Sequence, residues 1–230
     1  MTSVIPSLAY GRTCSSTMQL RNLSDRTVTV DVEGHRESGA LVSLAGLPGT
    51  TVHLEPHGKM SYKLDIEEET TAAWAKVRET VAAAGFAPVV SISASTECVI
   101  GNQLRTAARG VAYPTRNPWF AGDVAEMQGN LISLINTSES AVRATACYSS
   151  GGLYSVAGTP LQPICNASVD VQIPPFNSRQ FPVSRESNSH LSLKTQGNAI
   201  VLEMLRPLGE NLRIYAVDSS IKFGDEAVKP

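Results

Sequence analysis

Histidines are the first side chains to consider for chemistry, because a neutral imidazole binds metals and titrates near neutral pH. His53 and His57 lie four residues apart, a spacing that places two ligands on one face of a helix. Here they flank Pro56 in a strand-and-turn pattern, so they would need an acid such as Glu55 to complete a site. Solvated surface histidines explain the pair more simply. We therefore expect no metal, with His53 and His57 as weak candidates for one.

Motifs for a nucleophile or a cofactor are missing from the sequence. Ser155 lies in the run YSVAG, which lacks the leading glycine of the G-x-S-x-G elbow. Neither a G-x-G-x-x-G motif nor a phosphate-binding loop occurs. We therefore expect a protein that is not an enzyme and uses no cofactor. The alternative is a hydrolase whose groups meet only in the fold, because paired carboxylates can come from distant positions.

The cysteines fall two in each half of the chain, and none forms a C-x-x-C pair: Cys14, Cys98, Cys147 and Cys165. One disulfide in each half would require an oxidising compartment. Buried free thiols are the alternative that we favour, because residues 1–10 lack the charged start and apolar run of a signal peptide. We expect a cytoplasmic protein if Met1 is the native start and an exported one if a leader was removed.

Charge and hydropathy exclude two classes of partner. The formal net charge is −2, and the basic residues are mixed with acidic ones along the chain. The positive footprint of a nucleic-acid-binding protein is therefore missing. No apolar run approaches the ~20 residues that a transmembrane helix needs, so we expect no membrane span.

One segment recurs in both halves of the chain. Strand-like alternation ends at Asn22 in the first half and at Asn136 in the second, and each Asn is followed two positions later by a serine, Ser24 or Ser138, and then by an acid. An Asn side chain in this place bonds to the backbone two residues on and closes a tight turn. The pattern predicts an internal repeat of strand, turn and strand.

A second match follows at a similar distance in each half. Pro56 and Pro175 fit the second position of a turn, where φ near −65° is required, and Gly58 and Asn177 fit its last position. Strand-like alternation precedes and follows the turn in both copies. The repeat therefore extends over most of each half.

The repeat also decides how to interpret residues 67–85. This stretch is rich in Ala and Glu, and propensity alone predicts a helix. At the equivalent point, however, Leu191 and Leu193 alternate with polar residues, which is typical of a strand. We predict a strand over residues 73–78 and an enlarged loop over residues 79–87.

Each half carries six or seven short strands separated by turn signals, as in sandwiches with Greek-key connections. We predict an all-β fold of two tandem immunoglobulin-like/Greek-key β-sandwich modules, residues 1–113 and 125–230. A stiff linker rich in proline and aromatic residues, residues 114–124, would join them.

Exposed aromatic residues indicate where a partner could bind. Trp74, Lys76 and Arg78 share one face of the strand predicted over residues 73–78, and Trp119 and Phe120 are expected to pack in the cleft between modules. These five residues form the candidate surface for a ligand or partner. We expect a structural or protein-interaction protein that binds a protein partner or associates with itself. A carbohydrate- or small-ligand-binding module is the alternative.

Four short motifs in the first half resemble bacterial β-sandwich proteins of the sensory rhodopsin transducer type: residues 10–14 (YGRTC), 88–91 (PVVS), 103–107 (QLRTA) and 111–113 (VAY). The resemblance implies a non-enzymatic, oligomeric sandwich that binds partners or small ligands. It covers the first module alone, since residues 212–215 of the second lack the trailing pattern. It implies a fold and no binding residues.

Overall fold

The structure is a computed structural model, and it describes the following residues: 2–10, 13–42, 51–64, 71–80, 89–100, 103–109, 111–123, 131–150, 165, 167–182, 189–207 and 215–217. Every regular element in these residues is a β-strand, and the strands pair antiparallel, so the all-β prediction is confirmed. No helix in these ranges is long and apolar enough to cross a bilayer. The described residues divide into two compact units, one running to Pro114 and joined by Pro207–Val217, the other running from Thr115 to Arg206.

Nine strands build the first unit up to Pro114: β1 (Thr2–Tyr10), β2 (Cys14–Asn22), β3 (Val28–Arg36), β4 (Leu41–Val42), β5 (Thr51–Leu54), β6 (Lys59–Leu64), β7 (Thr71–Glu79), β8 (Val90–Ile100) and β9 (Gln103–Arg109). One sheet has the order β1-β7-β3, and both β4 and β5 pair with β3. The other sheet has the order β6-β2-β8-β9.

The remaining strands are β10 (Trp119–Asp123), β11 (Leu131–Asn136), β12 (Val142–Ser150), β13 (Ala167–Ile173), β14 (Ser178–Pro182), β15 (Ser189–Gln196), β16 (Ile200–Pro207) and β17 (Tyr215–Val217). In the second unit one sheet has the order β10-β15-β12-β13. The other places β11 between β14 and β16.

Alternate residues of the strands fill the core of each unit. In the first unit Met18 and Leu20 of β2 pack with Val30 of β3 and Val77 of β7. In the second unit the core residues from the corresponding central strands are Ile132, Leu134, Ala144, Ala146, Leu191 and Leu193. Burial of these apolar side chains is the main favourable term in folding.

Strand β7 includes the whole of the strand predicted over residues 73–78. Its pairing with both β1 and β3 supplies ladder hydrogen bonds and buries Ala75 and Val77. These long-range contacts override the helical propensity of the sequence. Of the loop predicted at residues 79–87, residues 81–87 lie outside the described residues.

The segment predicted as a linker contains a strand. Residues 119–123 form β10, which pairs with β15 along its full length, and Phe120 enters the core of the second unit opposite Leu193. Just before this strand, Thr115 exchanges two backbone hydrogen bonds with Ile200. A buried aromatic ring and a regular ladder stabilise this segment as part of a sheet.

The prediction of free thiols is wrong for all four cysteines. Cys14 of β2 lies directly opposite Cys98 of β8 and is bonded to it, with their Cα atoms 4.1 Å apart. Cys147 of β12 is bonded to Cys165, just before β13, with a Cα separation of 5.5 Å. Sequence spacing could assign two cysteines to each half, whereas the strand register is what brings them together.

Candidate functional site

The face of β7 that points away from the core carries Trp74, Lys76 and Arg78, as predicted from alternation. The neighbouring strand β3 supplies an acid to each cation. Lys76 Nζ lies 3.2 Å from Glu33 Oε2, and Arg78 Nη2 lies 3.1 Å from Asp31 Oδ2. Both cations are therefore paired with acids of the same sheet, and this part of the candidate surface neutralises its own charges.

Trp74 does not belong to an accessible surface, because its side chain is only 1% exposed. Its indole stacks on the imidazole of His35 across the β3–β7 ladder, with ring centroids 4.4 Å apart and planes inclined by 16°. The alternation of β7 predicted which face Trp74 occupies, but it could not predict that this face is covered there. Trp74 is therefore a packing residue of the first unit, in contrast to the prediction.

Trp119 and Phe120 are neighbours in the chain with opposite environments. Phe120 is 4% exposed in the core of the second unit, whereas Trp119 is 47% exposed on the outer face of the same sheet. Successive strand residues point to opposite faces. The prediction that both rings pack in one cleft is therefore wrong. Of the two tryptophans, Trp119 is the one that solvent reaches.

A row of side chains crosses the outer face of the second unit from Trp119. Lys194 of β15 lies directly opposite Trp119, Thr145 of β12 lies opposite Lys194, and Asp170 of β13 lies opposite Thr145. We call these four residues the indole row. Thr145 Oγ1 donates a hydrogen bond to Asp170 Oδ1, and Arg143 Nη2 lies 3.5 Å from Asp170 Oδ2. The indole row combines an aromatic face, a cation, a hydroxyl and a carboxylate.

The first unit has a row in the same position of its pairing pattern. Thr2 of β1, Arg78 of β7, Asp31 of β3 and Thr51 of β5 lie opposite one another in that order. Thr51 Oγ1 donates to Asp31 Oδ1 at 2.9 Å, and Arg78 binds the other carboxylate oxygen. We call this the threonine row. It contains no aromatic residue, and its cation and acid neutralise each other.

The weak metal candidates do not converge. His53 Nδ1 lies 3.0 Å from Thr29 Oγ1 on the β3–β5 ladder, whereas His57 Nε2 lies 2.7 Å from Asp25 Oδ1 in the adjacent turn. Among the described residues there is no group of three or more side chains placed to hold a metal ion. The two histidines thus serve separate local hydrogen bonds.

Asn22 is fully buried and forms a corner of the first unit. Its Oδ1 accepts a hydrogen bond from the Ser24 amide at 2.9 Å, as predicted for the turn. Its Nδ2 also donates to the carbonyls of Arg26, Leu54 and Glu55, at 2.6, 3.2 and 2.9 Å. Sequence reasoning found the local turn and missed that the amide ties it to the end of β5.

Asn136 makes the same set of contacts in the second unit. The Ser138 amide donates to its Oδ1 at 3.0 Å. Its Nδ2 donates to the carbonyls of Ser140, Ile173 and Pro174, at 2.8, 3.2 and 2.9 Å. A buried amide with all its donors and acceptor engaged stabilises one geometry of the corner. We call these two sites the asparagine corners.

Glu203 of β16 is a further residue that sequence reasoning missed. It lies opposite Ser133 of β11, and burial raises the pKa of its carboxyl to about 7. Ile135 and Val201, on the same side of these strands, are both buried without belonging to the unit's main core cluster. A carboxyl in such surroundings gains a proton near neutral pH.

Two large apolar side chains are exposed opposite each other in the first unit. Val99 of β8 is 51% exposed, and Leu104 of β9, its register partner, is 64% exposed. Other exposed large hydrophobic residues of the described chain are not paired with each other in this way. We call Val99 and Leu104 the apolar pair.

No protein-family profile, curated protein or solved structure matches this chain. The resemblance of the first half to sandwiches of the sensory rhodopsin transducer type therefore stays a prediction.

Proposed function

We propose that this chain is a non-catalytic structural or protein-interaction protein built from two copies of one immunoglobulin-like β-sandwich module. The observation that carries the proposal is the pair of asparagine corners, in which Asn22 and Asn136 bind equivalent backbone groups with distances that agree within about 0.2 Å. A buried polar network of this kind specifies one arrangement of the chain. Its presence twice supports duplication of a rigid scaffold.

The strand pairings support the same conclusion. The strand that ends in the Asn, β2 or β11, is central in its sheet, between β6 and β8 or between β14 and β16. The strand that follows, β3 or β12, lies between β7 and β5 or between β15 and β13. The chain thus crosses from one sheet to the other between these two strands, as it does in Greek-key sandwiches.

The two disulfides add a compartment to the proposal. Disulfides persist in oxidising surroundings and are rare in a reducing cytosol. Cys14–Cys98 and Cys147–Cys165 provide one bridge in each unit. We infer that the protein works in an oxidising compartment, such as the periplasm or the cell exterior.

The apolar pair supplies a contact surface for self-association. Exposed apolar area next to polar sheet faces favours association, because burying it removes it from water. Val99 and Leu104 lie on the paired strands β8 and β9, which hold both side chains in a fixed position. A second copy of the chain can bury them against the same pair in an isologous contact.

Size-exclusion chromatography with light scattering tests the proposal directly. We expect the wild-type chain to form a discrete oligomer without reductant, and Leu104→Lys to shift it towards the monomer. Leu23→Lys is the matched control, since Leu23 is 54% exposed and has no exposed apolar partner opposite it. A wild-type chain that stays monomeric at all concentrations would overturn the proposed self-association. Equal effects of the two variants would show that the apolar pair is not the contact surface.

A further inference from the structure

The indole row and the threonine row occupy the same register positions in the two units. They differ in the residue at the first position and in the pairing of the cation next to it. Where the first unit has Thr2, the second has the exposed indole of Trp119. Where Arg78 is paired with Asp31, Lys194 has no ion pair among the described residues. The second unit therefore presents an aromatic face directly beside a cation that has no described counterion.

The acid of the indole row does not neutralise Lys194. Asp170 is bound by Thr145 through one carboxylate oxygen and lies near Arg143 through the other. Asp170 is also two strands away from Lys194, at a distance of roughly 10 Å from the strand spacing. Among the described residues, none takes up the charge of Lys194, which leaves it for an external anionic group.

The neighbouring residues supply further polar groups on the same face. Gln196 of β15, Arg143 of β12 and Gln172 of β13 lie opposite one another, two positions along from the indole row, and all three are exposed. Amide, guanidinium, hydroxyl and carboxylate groups together both donate and accept hydrogen bonds. This mixture matches a ligand with many hydroxyls, each of which also donates and accepts.

The face spans four paired strands and is held in place by their ladders. Three inter-strand spacings separate Trp119 on β10 from Asp170 on β13, which is about 14 Å. Cys147 lies two residues beyond Thr145 on β12, and its disulfide to Cys165 joins this strand to the chain just before β13. A ligand that binds here meets a preformed surface, which reduces the ordering cost of association.

We propose that the outer face of the sheet β10-β15-β12-β13 binds an acidic glycan, with a sugar ring stacked on Trp119 and its acidic group paired with Lys194. The apolar C–H face of a pyranose covers the indole, and the carboxylate of a uronic acid reaches the ammonium group. Thr145, Asp170 and the neighbouring amides contact the hydroxyls. A polyanion such as duplex DNA fits less well, since a single cation without a described counterion, beside an acid, cannot neutralise a phosphate backbone.

Calorimetric titration of the full chain with a galacturonic acid oligosaccharide tests this proposal. The methyl-esterified oligosaccharide and a neutral gluco-oligosaccharide of equal length are the comparison ligands. We expect binding of the acid form that weakens at high salt, a loss of about tenfold for Trp119→Ala, and a smaller loss for Lys194→Gln. Lys194→Gln should also make the acid and esterified forms bind alike.

Arg78→Gln provides the matched control, because it removes a cation at the same position of the first unit and should leave glycan affinity unchanged. Circular dichroism and thermal unfolding check that each variant folds. Three acidic oligosaccharides, from galacturonate, alginate and hyaluronan, should all be tried, and no binding to any of them would overturn the proposal. Unchanged affinity of Trp119→Ala would overturn it equally. The apolar pair is not involved, so loss of self-association in Leu104→Lys leaves this test intact.

Discussion

The outer faces of two central strand pairs, β2–β8 and β11–β16, show how one backbone arrangement serves two environments. In the first unit Arg21 lies opposite Ser91, and Gln19 lies opposite Ser93. These four side chains are polar and reach solvent to varying degrees. The face of β2 and β8 is therefore a solvated surface.

The second unit has a different set of side chains in the same pairs. Ile135 lies opposite Val201, and Ser133 lies opposite Glu203. Ile135, Val201 and Ser133 are each at most 3% exposed, and Glu203 is mostly buried. These side chains point away from the main core cluster and are nevertheless buried.

The residue types on the two faces of these strands therefore vary independently of each other. The inward face of both pairs is apolar and specifies the sandwich. The outward face varies between solvated serines and buried aliphatic residues without altering the strand pairing. Substitutions at matched positions can therefore measure how far the two units are equivalent.

Removal of the disulfides should show the largest difference between the two units in the free energy of unfolding. Cys14–Cys98 closes a segment of 84 residues and Cys147–Cys165 one of 18. From the entropy of loop closure, we expect the free energy of unfolding to fall by about 4.5 kcal/mol for the pair Cys14→Ala and Cys98→Ala, and by about 3 kcal/mol for the pair Cys147→Ala and Cys165→Ala. Denaturant titration measures both, and the reverse order would contradict the chain-entropy account.

Replacement of the corner asparagines tests the equivalence of the units directly. Asn22→Ala and Asn136→Ala each leave buried carbonyls without their donor, so we expect a loss of roughly 3 kcal/mol in each variant. Ser24→Ala and Ser138→Ala are milder controls, with an expected loss of about 1 kcal/mol. Thermal or denaturant unfolding measures the four variants. A large loss at one corner and none at the other would break the equivalence.

Glu203 should make the second unit sensitive to pH. Its pKa is raised from 4.5 to about 7 by burial, so the native state holds the proton more tightly than the unfolded state. The stability that protonated Glu203 contributes is therefore fully present below about pH 4.5, is lost as pH rises from there to about 7, and changes no further above that. We expect Glu203→Gln to stabilise the protein by about 2 kcal/mol at pH 8 and to have little effect at pH 5.

Denaturant titrations at the two pH values measure this difference. Glu97→Gln is the matched control, because Glu97 is an exposed carboxylate on the equivalent strand β8. We expect that variant to change the free energy of unfolding little in either titration, because substitutions at exposed positions rarely affect stability. A stabilisation by Glu203→Gln that is equal at both pH values would mean that proton binding is not its cause.

The acids of the two rows should show the smallest effects. Asp31 binds Arg78 and Thr51, and its side chain is 20% exposed, whereas Asp170 is 51% exposed. We expect Asp31→Asn to lower stability by roughly 0.5–1 kcal/mol, with a weaker effect at high salt, and Asp170→Asn to have less effect than Asp31→Asn. Thermal unfolding at low and high salt measures both variants, and a larger effect of Asp170→Asn would reverse the comparison.

Local patterns predicted much of the fold. Alternation predicted the strand around Trp74 and the face that its side chain occupies, and turn chemistry predicted the bond from the Ser24 amide to Asn22. The turn at Pro56 closes with a hydrogen bond from the Gly58 amide to the Glu55 carbonyl at 2.8 Å. These features depend on neighbouring residues, which is why the sequence predicts them.

Features that depend on distant residues were harder to predict. The burial of Trp74 depends on what covers its sheet, and the bond from Asn22 to the Leu54 carbonyl joins segments 32 residues apart. The pairing of Cys14 with Cys98 depends on the register of β2 and β8. Trp119 is exposed on an edge strand of its sheet. The prolines that precede this strand made the sequence resemble a linker, so the strand was not predicted.

The Cys147–Cys165 bridge has a consequence for proteolysis of the chain. A protease that cuts the chain once between these two cysteines produces two pieces that stay covalently joined. The strands on either side remain paired along β12 and β13, so the cut molecule keeps its sheet. Such a nick is invisible on a non-reducing gel and appears as two bands after reduction. Cleavage between the two cysteines therefore leaves both pieces attached to the protein.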